Sequence, residues 1–215
     1  LNRSLAGPGI RSSFRILEEL IGWDYLDFPT GSSVFDWTIP PEWHVDTAYF
    51  VDPAGRRHAD VAVNTLHLVG YSVPYQGTLT REELLPHLHS LPETPDAIPY
   101  VTSYYAPTWG FCLKQSEIDS LPQGDYKVVV NTELKPGYLR AGEAILRGDS
   151  EREILFSSYL CHPSMANNEL SGPLTLAFLY SELAKRPNRR HTIRFVVAPE
   201  TIGTIAFLSA RGDWL

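Results

Sequence analysis

The sequence has few cysteines, no long apolar run and no excess of positive charge, and each absence excludes a class of protein. Its 215 residues include two cysteines, Cys112 and Cys161, which is too few for a disulfide framework and favours a reducing compartment. No apolar run approaches the ~20 residues that cross a bilayer. The formal net charge of −7 argues against a nucleic-acid-binding surface. We therefore expect a cytoplasmic protein with neither nucleic acid nor membrane as a partner.

The start of the chain also lacks familiar features. Residues Leu1 to Gly7 contain no Met and no apolar segment of the kind that forms a signal peptide. We therefore expect a chain that has been processed or cut.

The pattern of residues changes twice along the chain. Apolar residues at helical spacing predict a helix over residues 8–22. Between residues 33 and 138, prolines, aromatic residues and alternating stretches predict short strands, including 66–73 and 98–105. We expect this segment to form a small β-rich domain inserted into the chain.

From residue 139 onward the pattern becomes strand, helix, strand, helix. Two apolar strands separated by one helix predict neighbouring parallel strands, and a further strand is expected at 141–147. The predicted fold class is α/β, with a parallel-sheet core formed by residues 1–32 and 139–215 and interrupted by the insert at 33–138. Because so few parallel strands rarely form a domain alone, we expect the core to be truncated. The predicted elements of this part are strand 153–160, helix 173–184, strand 192–198 and helix 202–210.

Polar side chains follow both predicted parallel strands at the point where each strand ends. His162 and then Glu169 follow the first strand, and Glu200 follows the second. Since the carboxyl ends of neighbouring parallel strands lie at one sheet edge, these three side chains are expected to converge. An imidazole and carboxylates suit Zn²⁺, and a carboxylate beside zinc can accept a proton from water. The pattern therefore indicates a metal-dependent hydrolase.

Structural explanations compete with this interpretation. A histidine after a strand is more often a hydrogen-bonded residue than a ligand. Asn167 and Asn168 could cap the following helix, and Glu169 and Glu200 could stabilise helix N-termini. Cys161 beside His162 suggests a thiol nucleophile, but adjacent residues in an extended segment point to opposite faces.

The segments with these residues resemble a known family. Leu160 to Pro173 and Ala198 to Gly203 are similar to aminopeptidase-like zinc peptidases of bacteria, which contain an inserted domain of unknown function and are often encoded among surface-polysaccharide genes. Val34 to Trp43, Tyr104 to Tyr105 and Trp109 to Cys112 resemble that inserted domain. Asn2 to Gly9 resembles the family's usual start, so the likeness covers nearly the whole chain.

The resemblance implies a phosphorylase/hydrolase-like α/β core related to the di-zinc aminopeptidases. It implies zinc as the cofactor, His162 and Glu169 as ligands, and Glu200 as either the general base or a ligand. It also implies a later acidic ligand and a later histidine, neither of which lies in this chain.

The chain departs from the family pattern at three positions. Ser164 stands where an aspartate usually orients the histidine, Asn168 where a bridging aspartate stands, and Thr201 where a second glutamate follows the first. Each departure removes a carboxylate from the expected site.

The sequence leaves two main functions open. The first is a zinc-dependent aminopeptidase-like hydrolase that acts on a small peptide or amide substrate, with further copies of the chain as candidate partners in a homo-oligomer. The alternative is a non-catalytic aminopeptidase-like protein for binding or assembly, linked to surface polysaccharide biosynthesis. A third idea concerns aromatic residues of the insert, which form either a binding face for a sugar or subunit, or part of the core. These are Trp37, Trp43, Tyr104, Tyr105 and Trp109.

Overall fold

The computed structural model describes residues 1–212, and the chain divides into two compact units by its contacts. The first unit joins Leu1–Glu42 to the chain from Pro136 onward, and the second is Trp43–Lys135. These divisions fall within ten residues of the predicted boundaries at 33 and 138. That the second unit is an insertion into an aminopeptidase-like core stays a prediction.

The helices and strands follow one another along the chain with short turns between many of them. In order they are α1 (Pro8–Leu17), β1 (Asp24–Pro29), β2 (Ser33–Val34), β3 (Trp37–Thr38), β4 (Glu42–Val51), β5 (Arg57–His58), β6 (Tyr75–Thr80), α2 (Arg81–Leu84), β7 (Leu88–His89), β8 (Phe111–Cys112), α3 (Gln115–Asp119), β9 (Asp125–Lys135), β10 (Tyr138–Leu146), β11 (Ser150–Tyr159), α4 (Ser171–Ala184), β12 (His191–Ala198) and α5 (Ile202–Arg211).

The first unit is built on a four-stranded sheet in the order β1–β10–β12–β11. Strands β11 and β12 are parallel neighbours, as predicted, but β10 runs antiparallel to both β12 and β1. The expectation of a parallel sheet is therefore wrong for two of its three strand pairings. Only residues 147–149 link β10 to β11, and a parallel arrangement of two strands needs a crossover of a dozen or more residues.

Helices cover both faces of this sheet. The rings of Tyr180 from α4 and Phe195 from β12 meet edge to face, with their centroids 5.4 Å apart. On the other face, Phe207 of α5 packs with Val196 and Ala198 of β12 and with Ala141 of β10. Alternate residues of β12 thus point to opposite helices, which explains why the strand is apolar throughout.

The second unit contains a four-stranded sheet in the order β5–β4–β9–β6. The segments 66–73 and 98–105, predicted as strands, instead contain part of a 3₁₀ helix, Thr65–His67, and isolated bridges at Leu68, Gly70 and Thr102. Tyr71 and Tyr104 have positive φ angles of 63° and 36°, which turn the backbone out of the extended conformation.

The aromatic residues of the second unit lie mostly in its interior. Trp43 and Trp109 are 4% and 8% exposed, and the Trp43 indole donates a hydrogen bond to the Ser72 carbonyl. Tyr105, at 53% exposure, is the one of these that faces solvent. Core packing therefore explains the two tryptophans. Among residues 1–212, no helix has both the length and the apolar character that crossing a membrane requires.

Candidate metal centre

The carboxyl ends of β11 and β12 bring the predicted residues to one place. Tyr159 pairs with Ala198 at the end of the parallel ladder, and the Leu160 N–H donates to the Ala198 carbonyl at 3.1 Å. His162 and Glu200 follow within a few residues of these strand ends. The meeting of the two strand ends is confirmed.

The imidazole of His162 lies between the two predicted carboxylates. Its Nδ1 is hydrogen-bonded to Oε1 of Glu169, and its Nε2 lies 3.4 Å from Oε2 of Glu200. Glu169 has no exposed side-chain surface and His162 has 8%, whereas Glu200 is 50% exposed. The ring therefore has one dry side, towards Glu169, and one side open to solvent, towards Glu200.

Glu169 is held from several directions within the protein. Its Oε2 accepts a hydrogen bond from the Cys161 backbone N–H at 2.7 Å. The buried guanidinium of Arg3 lies 4.0 Å from the same oxygen and donates to the His162 carbonyl at 2.8 Å. Sequence reasoning missed Arg3, because 159 residues separate it from His162. The sequence offered one indication of this role: Arg3 lies in the N-terminal segment that resembles the family's usual start.

Cys161 contributes a buried thiol next to these groups. Its Sγ accepts a hydrogen bond from the Glu200 backbone N–H at 3.4 Å. Burial raises the pKa of this thiol far above its usual value, and the charge of Glu169 raises it further. A thiol that stays protonated is a poor nucleophile, so the structure disfavours the thiol-nucleophile interpretation.

Helix capping does not explain the polar residues after β11. Helix α4 begins after Leu170 without a side-chain cap, and Glu169 points towards His162 instead. Asn167 and Asn168 are exposed on the loop. The alternative that Asn167 and Asn168 cap this helix is therefore wrong.

The backbone after β12 is strained where it presents Glu200. Thr201 has φ 58° and ψ −82°, a conformation that a β-branched residue rarely adopts. Gly203 is needed here, since a Cβ at that position would lie 2.5 Å from the Pro199 ring. This tight turn fixes the direction in which the Glu200 side chain leaves the sheet.

The donors on the open side of His162 fit zinc. Two ligands bound at about 2.0–2.1 Å to one tetrahedral ion lie roughly 3.3–3.4 Å apart, which agrees with the 3.4 Å between His162 Nε2 and Glu200 Oε2. A second set lies on the dry side, where donor atoms of Cys161, His162 and Glu169 all lie within 4.8 Å of one another. The predicted single site with His162, Glu169 and Glu200 as joint ligands stays a prediction.

A cavity of about 200 Å³ opens beside Glu200 and Thr201. Its walls come from β11, β12 and α5 and are largely apolar, with Leu155, Val196 and Phe207 among them. Glu200, which lies beside His162, thus borders a space that can hold a small apolar group.

Residues 1–215 match a protein family that is described only as a domain of unknown function, DUF4910. The chain belongs to this family. A protein of Clostridium acetobutylicum, provisionally named a polysaccharide biosynthesis protein with an aminopeptidase-like domain, is 43% identical over 213 residues. The match covers 99% of the DUF4910 chain and 49% of that relative, so the chain spans about half the relative's length.

Solved structures place this DUF4910 chain among aminopeptidase folds. A crystal structure from C. acetobutylicum, provisionally named a peptidase, matches with a TM-score of 0.95 and 43% identity over 98% of this chain and 50% of that one. The Bacillus subtilis zinc aminopeptidase BSAP matches with a TM-score of 0.57 and 10% identity over 99% of this chain and 61% of that one. A peptidase M28 precursor from Shewanella amazonensis matches with a TM-score of 0.57 and 11% identity, and the match covers 99% of this chain and 64% of that one. At such identities the last two show the fold alone.

Proposed function

We propose that this DUF4910 chain contributes to the active site of a zinc-dependent, aminopeptidase-like hydrolase that cleaves a peptide or amide bond. The observation that carries the proposal is the His162 ring, held between two carboxylates where parallel strands β11 and β12 end. The name of the 43% identical relative and the fold of zinc aminopeptidases support it.

Zinc is the cofactor that the donors fit, and His162 and Glu200 would hold it on the open side of the ring. Zinc bound there supplies Lewis acidity, which polarises a carbonyl group and activates water. Three protein ligands are usual at a catalytic zinc ion. Because Glu169 contacts the opposite nitrogen of His162, the third donor is a residue other than Glu169.

The chain's own groups then have distinct tasks. The half-exposed Glu200 carboxylate borders the cavity, where it would either bind zinc beside His162 or accept a proton from water that attacks a bound carbonyl. The apolar wall of the cavity would contact a side chain of the substrate. The contact of Nδ1 with the buried Glu169 fixes the His162 ring so that Nε2 faces Glu200.

Replacing Glu200 tests this proposal in the full-length protein. We expect wild-type protein purified with added zinc to bind the metal and to hydrolyse aminoacyl or dipeptide amides. In Glu200→Gln, kcat/KM should fall by about 10²-fold or more, since the amide cannot accept the proton. If zinc affinity is retained, Glu200 is the base; if zinc affinity falls as well, Glu200 is a ligand.

Glu182→Gln is the control, because Glu182 is an exposed carboxylate of α4 that pairs only with Lys185 among the contacts described here. It should leave both zinc affinity and turnover unchanged. A folded wild-type protein that takes up no zinc would contradict the proposal.

The second candidate is a non-catalytic aminopeptidase-like protein that binds or assembles components of surface polysaccharide biosynthesis. The provisional name of the relative favours it, as do Ser164, Asn168 and Thr201 at positions where the resemblance implies carboxylates. A zinc-loaded protein that hydrolyses no amide, and in which Glu200→Gln changes nothing, would support this candidate.

A further inference from the structure

Glu169 is a buried carboxylate with a partner on each of its two oxygens. Oε1 contacts Nδ1 of His162, and Oε2 accepts the Cys161 N–H at 2.7 Å, while no part of the side chain is exposed. A buried carboxylate satisfied in this way has a fixed position, and it fixes whatever it binds.

The contact with Nδ1 also sets the tautomer of His162. An ionised carboxylate only accepts hydrogen bonds, so Nδ1 of the ring must carry the proton and donate it to Glu169. In the neutral ring, Nε2 then keeps its lone pair, and this atom faces Glu200 and the open side. A carboxylate behind a histidine raises the histidine's strength as a metal ligand and fixes its orientation.

We infer that Glu169 is a positioning residue that orients His162 towards the metal, and that Arg3 holds Glu169 in place. This inference rests on the proposed zinc site and changes the predicted role of Glu169 from ligand to orienting group. Ser164, which stands where an orienting aspartate is expected, is an exposed loop residue. Glu169 supplies the carboxylate that this chain lacks at position 164.

Two features argue against Glu169 as a direct ligand. The direct hydrogen bond between Nδ1 and Oε1 leaves no room for an ion between them. The Arg3 guanidinium, 4.0 Å from Oε2, would repel a dication on that side of the ring. The open side near Glu200 has no such neighbour among the charged contacts described for residues 1–212.

Arg3 places a positive charge near the buried Glu169 carboxylate. An unpaired buried carboxylate is costly, and a nearby cation offsets that cost. Arg3 is itself 5% exposed, and its Nε donates to the His162 carbonyl at 2.8 Å while lying 4.0 Å from Oε2 of Glu169.

The tautomer of His162 in the metal-free, full-length protein is the first measurement. Long-range ¹H–¹⁵N correlation spectra distinguish the two tautomers, and the loss of one signal set in His162→Gln assigns the His162 ring among the histidine signals. We expect the proton on Nδ1 in wild-type protein and a mixture of tautomers in Glu169→Gln. A proton on Nε2 in wild-type protein would overturn the inference.

Zinc affinity, measured by competition with a chelating dye, is the second measurement. Glu169→Gln should weaken zinc binding by about 10- to 100-fold. Arg3→Met should weaken it in the same direction, and Arg3→Lys should restore part of the loss because it keeps the charge without the planar fork. Arg15→Met is the matched control, since Arg15 is an exposed arginine of α1 that contacts Ser12.

The remaining outcomes each decide a part of the inference. Unchanged zinc affinity in Glu169→Gln would overturn the role of Glu169, and unchanged affinity in Arg3→Met would overturn that of Arg3. If wild-type protein binds no zinc, the proposed function fails, while the tautomer still decides whether Glu169 orients His162. If Glu169→Gln does not fold, the wild-type tautomer and Arg3→Lys decide instead.

Discussion

Thr201 stores backbone strain directly beside the Glu200 carboxylate. A β-branched residue at φ 58° and ψ −82° is unfavourable by about 1–3 kcal/mol and persists only where its surroundings impose it. Such positions cluster at functional sites. The strain here lies at the turn that directs Glu200 towards His162.

Relieving that strain should stabilise the fold and weaken the site. Glycine adopts this conformation freely, so Thr201→Gly should raise the free energy of unfolding by roughly 1 kcal/mol, after the entropy cost of glycine is subtracted. Zinc affinity should fall, because Glu200 becomes mobile. Denaturant unfolding and dye competition measure the two effects. Thr204→Gly, within α5, should instead destabilise the protein, and a destabilised Thr201→Gly would contradict the role of strain.

Helix α5 is fixed to the sheet at its far end by an ion pair with a buried carboxylate. Arg211 near its C-terminus donates to Oε2 of Glu143 on β10 at 2.9 Å. Oε1 of Glu143 accepts from Arg194 of β12, which also forms two hydrogen bonds to Glu153 of β11 at 2.7 and 2.9 Å. The element that follows Glu200 is thereby tied to three strands.

This network predicts a loss of stability in acid. Burial alone would raise the pKa of Glu143, but hydrogen bonds from Arg211 and Arg194 lower it below its usual value of 4.5. Because the folded-state pKa lies below that of the unfolded chain, the contribution to stability is complete above about pH 4.5 and is lost as the pH falls through the folded-state value. Urea unfolding across pH 3 to 7 measures it.

Glu143→Gln should lack this part of the pH dependence. It should also lose about 3 kcal/mol of unfolding free energy at pH 7, since Arg194 and Arg211 lose their shared anion. Glu182→Gln, which breaks an exposed pair with Lys185, should cost less than about 1 kcal/mol. An equal acid slope in Glu143→Gln and wild type would show that the network does not contribute.

At the scale of the whole molecule, the first residues of the chain reach the site formed near its other end. Residues Leu5 and Ala6 are buried, and Arg3 contacts His162 and Glu169. Gly9 in α1 makes this path possible, since a Cβ there would lie 2.1 Å from the Asn2 carbonyl oxygen and 2.9 Å from the Arg3 nitrogen.

Gly9→Ala should therefore weaken zinc binding without altering any group at the site. The added methyl must displace the segment that carries Arg3, and such overpacking costs about 1–3 kcal/mol. Dye competition and thermal unfolding report the two effects. Gly22→Ala is the control, because a Cβ at position 22 meets nothing within 4 Å. Equal zinc affinity in both variants would contradict the long-range role of the N-terminal segment.

Local sequence patterns predicted helices and strands correctly where the burial of apolar side chains dominates. Strands β11 and β12 and helix α4 between them lie close to their predicted positions. Burial on both faces of the sheet explains the apolar signal of β12, whereas the residues of β11 are exposed or half-buried. The strand predictions at 66–73 and 98–105 were wrong, because Tyr71 and Tyr104 adopt positive φ angles. A tyrosine in the sequence does not indicate such a backbone conformation. Strand β1 was missed for lack of clear alternation.

The sequence alone determined that His162 and Glu200 would follow neighbouring parallel strands, because chain connectivity and apolar runs specify that arrangement. Only the tertiary structure decided which nitrogen of His162 meets which carboxylate, and that Arg3 stands behind Glu169. The physical reason is the sequence separation of the partners. Strand pairing follows from local pattern, whereas the contact of Arg3 with His162, 159 residues apart, depends on how the whole unit packs.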